Sequence, residues 1–291
     1  MKVTNRFGLP EPIISAVDRD YRPGADPRRF SATELIGAPR YVQLRRRHWD
    51  ELEEDASDML WMMLGTAVHK MLEEAAPDNT LVEEYFRTPM GDYVVSGVAD
   101  LYEVVDGVAV LSDYKTTSTW GAVFGDYPRE EWVQQLNIYA HLYRKAGFAV
   151  DKLQVVALYR DWSRGKARYD ASYPNVAIEV HPVKLWSPKL AEKFITQRLE
   201  LHGSHQDTPD AMLPPCTDEE RWAKPGTYAV KKPGRKSAVR VLDTIQEAEA
   251  YKAKDPCYYI EHRPGKDTRC AEYCSVAEFC EHGRAVLAEE G

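Results

Sequence analysis

Cysteine is missing from the first 215 residues of this 291-residue chain, and all five cysteines crowd into its last quarter. That distribution excludes a disulfide framework running through the molecule and suits a metal or cluster site with one spare thiol. Long apolar runs are missing too. No stretch approaches the roughly 18 residues of a membrane span, and the opening segment MKVTNRFGLPEPIIS has no apolar signal-peptide core. These absences predict a cytoplasmic protein with no membrane partner. Positive charge is in deficit: 46 acidic residues outnumber 38 basic ones, for a formal charge of −8. Coating of nucleic acid by bulk charge is thereby excluded, whereas a local basic groove is not. Internal repeats and low-complexity tracts are absent. What is present is ordinary globular usage, 44% apolar and 29% charged. It rules out disorder and supplies a core for one large domain or two small ones.

Residues 1–30 are rich in Pro, Arg and Gly and predict an extended N-terminal arm. Ser31 and Glu34 form a capping-box pair, so a helix begins there, and Pro39 interrupts it. A basic stretch follows, Arg40 and then Arg45 to Arg47. From Asp58 to Ala76 the spacing of Trp61, Leu64, Val68, Leu72 and Ala75 predicts a helix with one apolar stripe. Strands are expected over 81–87, 93–105 and 108–115, with Asp106-Gly107 as a two-residue hairpin turn. Trp132, Leu136, Tyr139, Ala140 and Tyr143 predict a second helix over 129–146, and 153–159 a buried strand. Composition shifts at a Pro-rich linker after about residue 205. Beyond it, a hairpin around Pro233-Gly234, a helix over 244–254 and a strand over 257–262 predict a small α+β subdomain. The expected division is an arm, 1–30, an α/β core, 31–205, and a cysteine-containing subdomain, 206–291.

The Asp106-Gly107 turn fixes a register in which Asp100 lies opposite Asp113, and Lys115 points to the same face as Asp113. Two carboxylates that close repel unless a cation lies between them. Such a pair with open positions suits Mg²⁺ or Mn²⁺, and a neighbouring lysine suits a water or a charged phosphate. The bland alternative is a surface salt-bridge trio. Gly65 and His69, one turn apart on the first long helix, and Gln135 and Tyr139 on the second add polar groups in the same region of sequence.

Four motifs in this order resemble the PD-(D/E)XK nuclease superfamily, in its RecB-like exonuclease branch. The family pattern is G-x-x-x-H on a helix, G-x-x-D and D-x-K-T on strands, and Q-x-x-x-Y on a helix. The chain has Gly65…His69, Gly97-Val-Ala-Asp100, Asp113-Tyr-Lys115-Thr116 and Gln135…Tyr139, so the resemblance covers about residues 31–160. It implies a restriction-endonuclease-like core, a mixed sheet flanked by helices. His69, Asp100, Asp113 and the Tyr114 carbonyl become metal ligands, Lys115 the catalytic lysine, and Gln135 and Tyr139 positioners of the nucleic-acid strand. Glu83 or Glu84 would help through water. The implied activity is hydrolysis of DNA in recombination, repair or phage DNA processing, with a helicase or recombination protein as partner. A catalytically inactive DNA-binding or assembly subunit is the alternative.

Helicase-associated and CRISPR-adaptation relatives resemble this chain in ending with cysteines that hold a [4Fe–4S] cluster. Here Cys270, Cys274 and Cys280 stand as C-x3-C-x5-C, and Ala38 occupies the upstream position where those relatives carry cysteine. Cys216 is the candidate fourth ligand, and Cys257 is expected to pack in an apolar strand. Zn²⁺, with His282 or His262 as a ligand, fits the same residues. Lys231, Lys232, Arg235, Lys236 and Arg240 form either a solvated face or a phosphate-tracking edge. Arg45 to Arg47 are a second such candidate, and Trp120 and Trp162 either stack on bases or are buried.

Overall fold

Asp106 and Gly107 both take positive φ, 52° and 79°, as a two-residue hairpin turn requires. The computed structural model describes residues 1–18, 22–125 and 127–290. The chain divides into Met1–Thr208 and Pro209–Gly291.

The first unit opens with β1 (Lys2–Thr4), α1 (Glu11–Val17), β2 (Arg29–Ser31), α2 (Ala32–Ile36), α3 (Pro39–Arg47) and β3 (Glu53–Asp55). It continues with α4 (Leu60–Glu74), the strands β4 (Leu81–Met90), β5 (Tyr93–Val105) and β6 (Val108–Thr117), and α5 (Thr119–Phe124). Then come α6 (Glu130–Lys145), β7 (Lys152–Tyr159), α7 (Arg164–Tyr169), β8 (Ile178–Val183) and α8 (Pro188–Gly203). The architecture is α/β: a mixed central sheet ordered β2-β5-β6-β7-β8, with β4 also on β5, flanked by helices. Pairing is antiparallel for β4 with β5, β5 with β6 and β7 with β8, and parallel for β2 with β5 and β6 with β7.

Ser31 caps α2 through the expected capping box, accepting from Glu34 N–H while the Glu34 carboxylate accepts from Ser31 N–H. Pro39 ends that run and starts α3 at its first position, where its missing N–H costs nothing. The main core joins α2, α6 and α8 to the sheet: Leu35, Leu136, Leu142, Tyr143 and Ile195 pack with Val95, Ala99, Leu111 and Val155. The expected extended arm is corrected. Residues 1–30 contain β1, which pairs with β3, α1, and the start of β2, which joins the main sheet. Val17 packs on Ala56 and Met59 in a second small cluster.

The stripe expected on α4 is corrected as well. Trp61, Leu64 and Ala75 are exposed, Val68 and Leu72 are half-buried, and no residue of the helix is fully buried. Its packing face is instead Met62 and Met63, against the cluster around Val17.

In the second unit come α9 (Asp218–Arg221), β9 (Ala223–Lys224), β10 (Thr227–Lys231), β11 (Arg240–Leu242), α10 (Ile245–Lys252) and β12 (Tyr259–Arg263). It closes with β13 (Lys266–Asp267), α11 (Thr268–Glu272) and α12 (Glu281–Glu290). A sheet ordered β11-β10-β12 holds buried Ala229 and Val230, with Ala248 of α10 also buried. Cys257 precedes β12 on an exposed turn, where its N–H donates to Asp255. The expectation that it packs in a strand is therefore corrected: the strand starts two residues later.

Candidate functional site

The ladder between β5 and β6 keeps the expected register from Val105↔Val108 to Leu101↔Ser112, then stops one row short of the carboxylates. The reason lies in the neighbours of β5. One edge is taken by β4 from Tyr93 to Tyr102, so β2 and β6 share the other, at residues 94–96 and 101–105. Gly97-Val-Ala-Asp100 falls in the gap between them. Beyond Ser112, β6 follows β7 instead, in parallel register as far as Thr117↔Tyr159. The freed Tyr114 N–H still needs an acceptor, and Asp100 Oδ2 takes it at 2.5 Å.

The side-chain alternation slips at this same row, because Val95, Ala99 and then Tyr102 all join the core. In β4, Glu83 adopts φ 49° and drops out of a pairing that resumes at Glu84↔Ala99. That left-handed backbone is strained for a residue with a side chain and persists only where its surroundings impose it. Glu83, Asp100 and Asp113 thus stand in one irregular row across three strands.

From α4, His69 reaches into the row. Its Nδ1 lies 3.3 Å from both Glu83 Oε1 and Asp100 Oδ1, and its Nε2 lies 3.1 Å from the Tyr114 carbonyl. One ligand atom each from His69, Glu83 and Asp100 all fall within 4.8 Å of one another. Hydrogen bonds to Asp100 and then Glu83 push the His69 pKa up to about 10. Burial pushes the Asp113 carboxyl up; the Lys115 ammonium opposes that shift and the Asp100 charge adds to it. Lys115 Nζ sits 2.6 Å from Asp113 Oδ2 but off the direction of a good hydrogen bond, so this buried oxygen has no directed donor. Lys115 donates instead to Gln135 Oε1 at 3.1 Å, and Gln135 Nε2 donates to Tyr139 Oη at 2.6 Å.

Gln135 and Tyr139 are both buried. In this structure Gln135 holds Lys115, and Tyr139 in turn holds Gln135. Gly97 makes this possible, since a Cβ there would meet the Tyr139 ring at 2.6 Å. Gly65 has no such neighbour; a Cβ would project into open space. It lines a cavity of about 520 Å³ with Met62, Thr66, His69, Lys70, Glu73 and Glu83.

The other candidates divide. Glu83 is in the site and Glu84 is exposed. Arg46 is committed to Glu34 at 2.8 Å and stacks on Phe30, Arg47 donates to the His205 and Gln206 carbonyls, and Arg45 stacks on Trp49. That basic run is structural. In the second unit, Lys231 and Lys232 are paired with Glu261 and Asp255, each at 2.7 Å, which subtracts two cations from the expected phosphate-tracking edge. Trp162 is half-buried with its Nε1 on the Pro174 carbonyl, whereas Trp120 is exposed.

Cys216 lies near enough to Cys270, Cys274 and Cys280 to feel their charges, though only Cys270 belongs to a tight metal-capable group. Burial and then the fields of Glu220, Cys280, Cys270 and Cys274 push the Cys216 thiol up to about 11. Burial, followed by Cys274, Asp267 and Cys280, does the same to Cys270. None of the five cysteines is in a disulfide. His282 Nε2–H donates to Asp267 Oδ2 at 2.6 Å, and these two lie with Cys270 inside a 4.8 Å group. Asp267 was missed in the sequence; its only signal is its place one helical turn before Cys270. His262 is on β12 against Tyr228, with ring centroids 5.0 Å apart, and falls outside that group.

No family model matches this sequence, and no curated protein matches it. Among solved structures, the chain is similar to one described as the crystal structure of SSO0001. The TM-score is 0.43 and the identity 18%, over 69% of this chain and 84% of that one. A likeness this loose carries no argument about function.

Proposed function

We propose that the Met1–Thr208 unit is a metal-dependent deoxyribonuclease of the PD-(D/E)XK superfamily, with a restriction-endonuclease-like core, acting as an exonuclease. The observation that carries this reading is the group of His69, Glu83 and Asp100 with the Tyr114 carbonyl on His69; Asp113, paired with Lys115, lies outside that 4.8 Å group on the neighbouring strand. Carboxylates with one imidazole and one carbonyl are hard donors suited to Mg²⁺ or Mn²⁺. Asp113 Oδ2 is buried and lies 2.6 Å from the Lys115 ammonium, which balances its charge beside that donor set. His69, Asp100, Asp113 and the Tyr114 carbonyl would hold it, with Glu83 added to that set. A divalent cation there supplies a more acidic water and offsets phosphate charge.

The chain's own groups do the rest. Lys115, braced by Asp113 and Gln135, aims its ammonium at the attacking water or at charge growing on the phosphate. Water oxygen bonds to phosphorus and releases a proton to solvent, the phosphorus–oxygen bond to the departing sugar oxygen breaks, and that oxygen takes up a proton from solvent. An inactive binding subunit, the alternative reading, has no use for a lysine held this way.

End-labelled linear DNA and closed circular DNA are to be incubated with the protein, with and without Mn²⁺. Shortening of the linear substrate only when metal is present is expected; intact DNA under every condition would sink the reading. In the second unit, Cys216, Cys270, Cys274 and Cys280 are proposed to hold a [4Fe–4S] cluster, with Zn²⁺ as the alternative, in a structural role. Anaerobically purified protein should be brown. Cys216→Ser should lose the colour and Cys257→Ser keep it. Colourless protein with bound zinc assigns the site to Zn²⁺, and protein free of both metals overturns the assignment.

A further inference from the structure

Because β6 and β7 are parallel, both open at the end where Lys115 lies, and the chain after each carries large exposed rings. After β6, α5 presents Trp120 and Phe124, 62% and 71% exposed, with ring centroids 5.8 Å apart. After β7, the Arg160 guanidinium lies 4.0 Å over the ring of Trp61, itself 52% exposed in the first turn of α4. The same helix brings His69 to the site about two turns later.

Hydrogen bonds tie these segments together. Arg160 N–H donates to the Thr117 carbonyl at 2.9 Å, and Asp161 accepts from Thr119 N–H at 2.7 Å and from its hydroxyl at 3.2 Å. Asp161, the single acid in residues 160–168, is occupied there; Arg160, Arg164, Lys166 and Arg168 are exposed around it. In a chain of net charge −8, this local excess of cations is not a by-product of composition.

These rings keep half or more of their surface in solvent, and their chemistry matches nucleobases, as the arginines and lysine match phosphates. A duplex keeps its base faces stacked inside and leaves such rings idle. We propose that Trp61 with Arg160, and Trp120 with Phe124, form a base-stacking subsite that takes the unpaired bases of a single strand beside the metal site. The proposal names a substrate class for the nuclease reading above and rests on it.

The test is fluorescence anisotropy in EDTA, which separates binding from cleavage, with labelled oligo(dT) and a blunt hairpin duplex. Wild type should prefer oligo(dT). Trp120→Ala and Trp61→Ala should each weaken that binding by roughly tenfold, with a smaller loss on the hairpin, and Trp120→Phe should restore most of it by keeping a ring. Unchanged melting temperatures would show that the losses are not unfolding. Equal losses on both DNAs, or none, would overturn the subsite. So would variants that change the sedimentation of the protein alone, since the patch would then be a subunit interface. Cleavage by wild type with Mn²⁺ is scored separately: its absence with the stacking pattern intact removes the nuclease and keeps the subsite, and the converse removes only the subsite.

Discussion

Helices α4 and α6 are nearly equal in length, both amphipathic, and both bring polar groups to the same site, yet α6 has ten buried residues and α4 has none. On α6, Leu136, Tyr139 and Tyr143 sit in the main core, and the polar pair Gln135 and Tyr139 is buried with them. Its polar groups therefore work from behind, on Lys115. On α4, Gly65 and His69 face an open cavity, and Trp61, Leu64 and Met71 face solvent. The difference teaches that a helical stripe gives direction, not burial. Burial depends on what the rest of the chain lays against the stripe.

The largest effect expected from this contrast is on chemistry. Lys115→Ala should lower the metal-dependent cleavage rate by about 10²–10³-fold or more while DNA affinity persists, because the ammonium acts on charge in the transition state. Gln135→Ala, acting only through Lys115, should cost less. Equal losses in steady-state rates would mean that Gln135 itself touches substrate.

Next comes packing. Leu136→Ala should cost about 2–5 kcal/mol in denaturant unfolding, since it empties a fully buried site. Leu64→Ala should stay within about 0.5 kcal/mol. A large loss at Leu64 would break the contrast between the two helices.

The histidines extend the comparison to pH. On the closed side, burial and then the nearby Arg198 charge lower the pKa of His202 on α8 to about 4, from 6.5. Between those values the unfolded chain binds a proton that the folded chain refuses, so stability falls as pH drops from 6.5 toward 4. The loss attributable to this group is about 3 kcal/mol. On the open side, His69 is shifted the other way, and its contribution is present at acid pH and lost as pH rises through about 10. Unfolding free energies measured across pH in wild type and His202→Gln should differ in slope only in the acid window.

The smallest effects are at the two glycines. Gly97→Ala should destabilise by about 1–3 kcal/mol, because its methyl meets the Tyr139 ring. Gly65→Ala meets nothing and should stabilise α4 by up to about 1 kcal/mol. Differential scanning calorimetry that showed both shifts with the same sign would contradict the open face of α4.

Local chemistry alone determined much of this molecule. The Ser31 and Glu34 cap, the Asp106-Gly107 turn and the hairpin register follow from backbone and side-chain preferences a few residues apart, and so did the helix over Glu130–Lys145. The polar residues of the candidate site were legible for the same reason, as their types and spacings are local. What only the tertiary structure decided is which groups meet. The gap between β2 and β6 on one edge of β5 released Tyr114 N–H to Asp100 and brought Glu83, through a strained backbone, to His69. Burial set Gln135 and Tyr139 behind Lys115 and left the stripe of α4 exposed or only half-buried. Each of these outcomes depends on strand partners and packing distant in sequence, which no local pattern encodes.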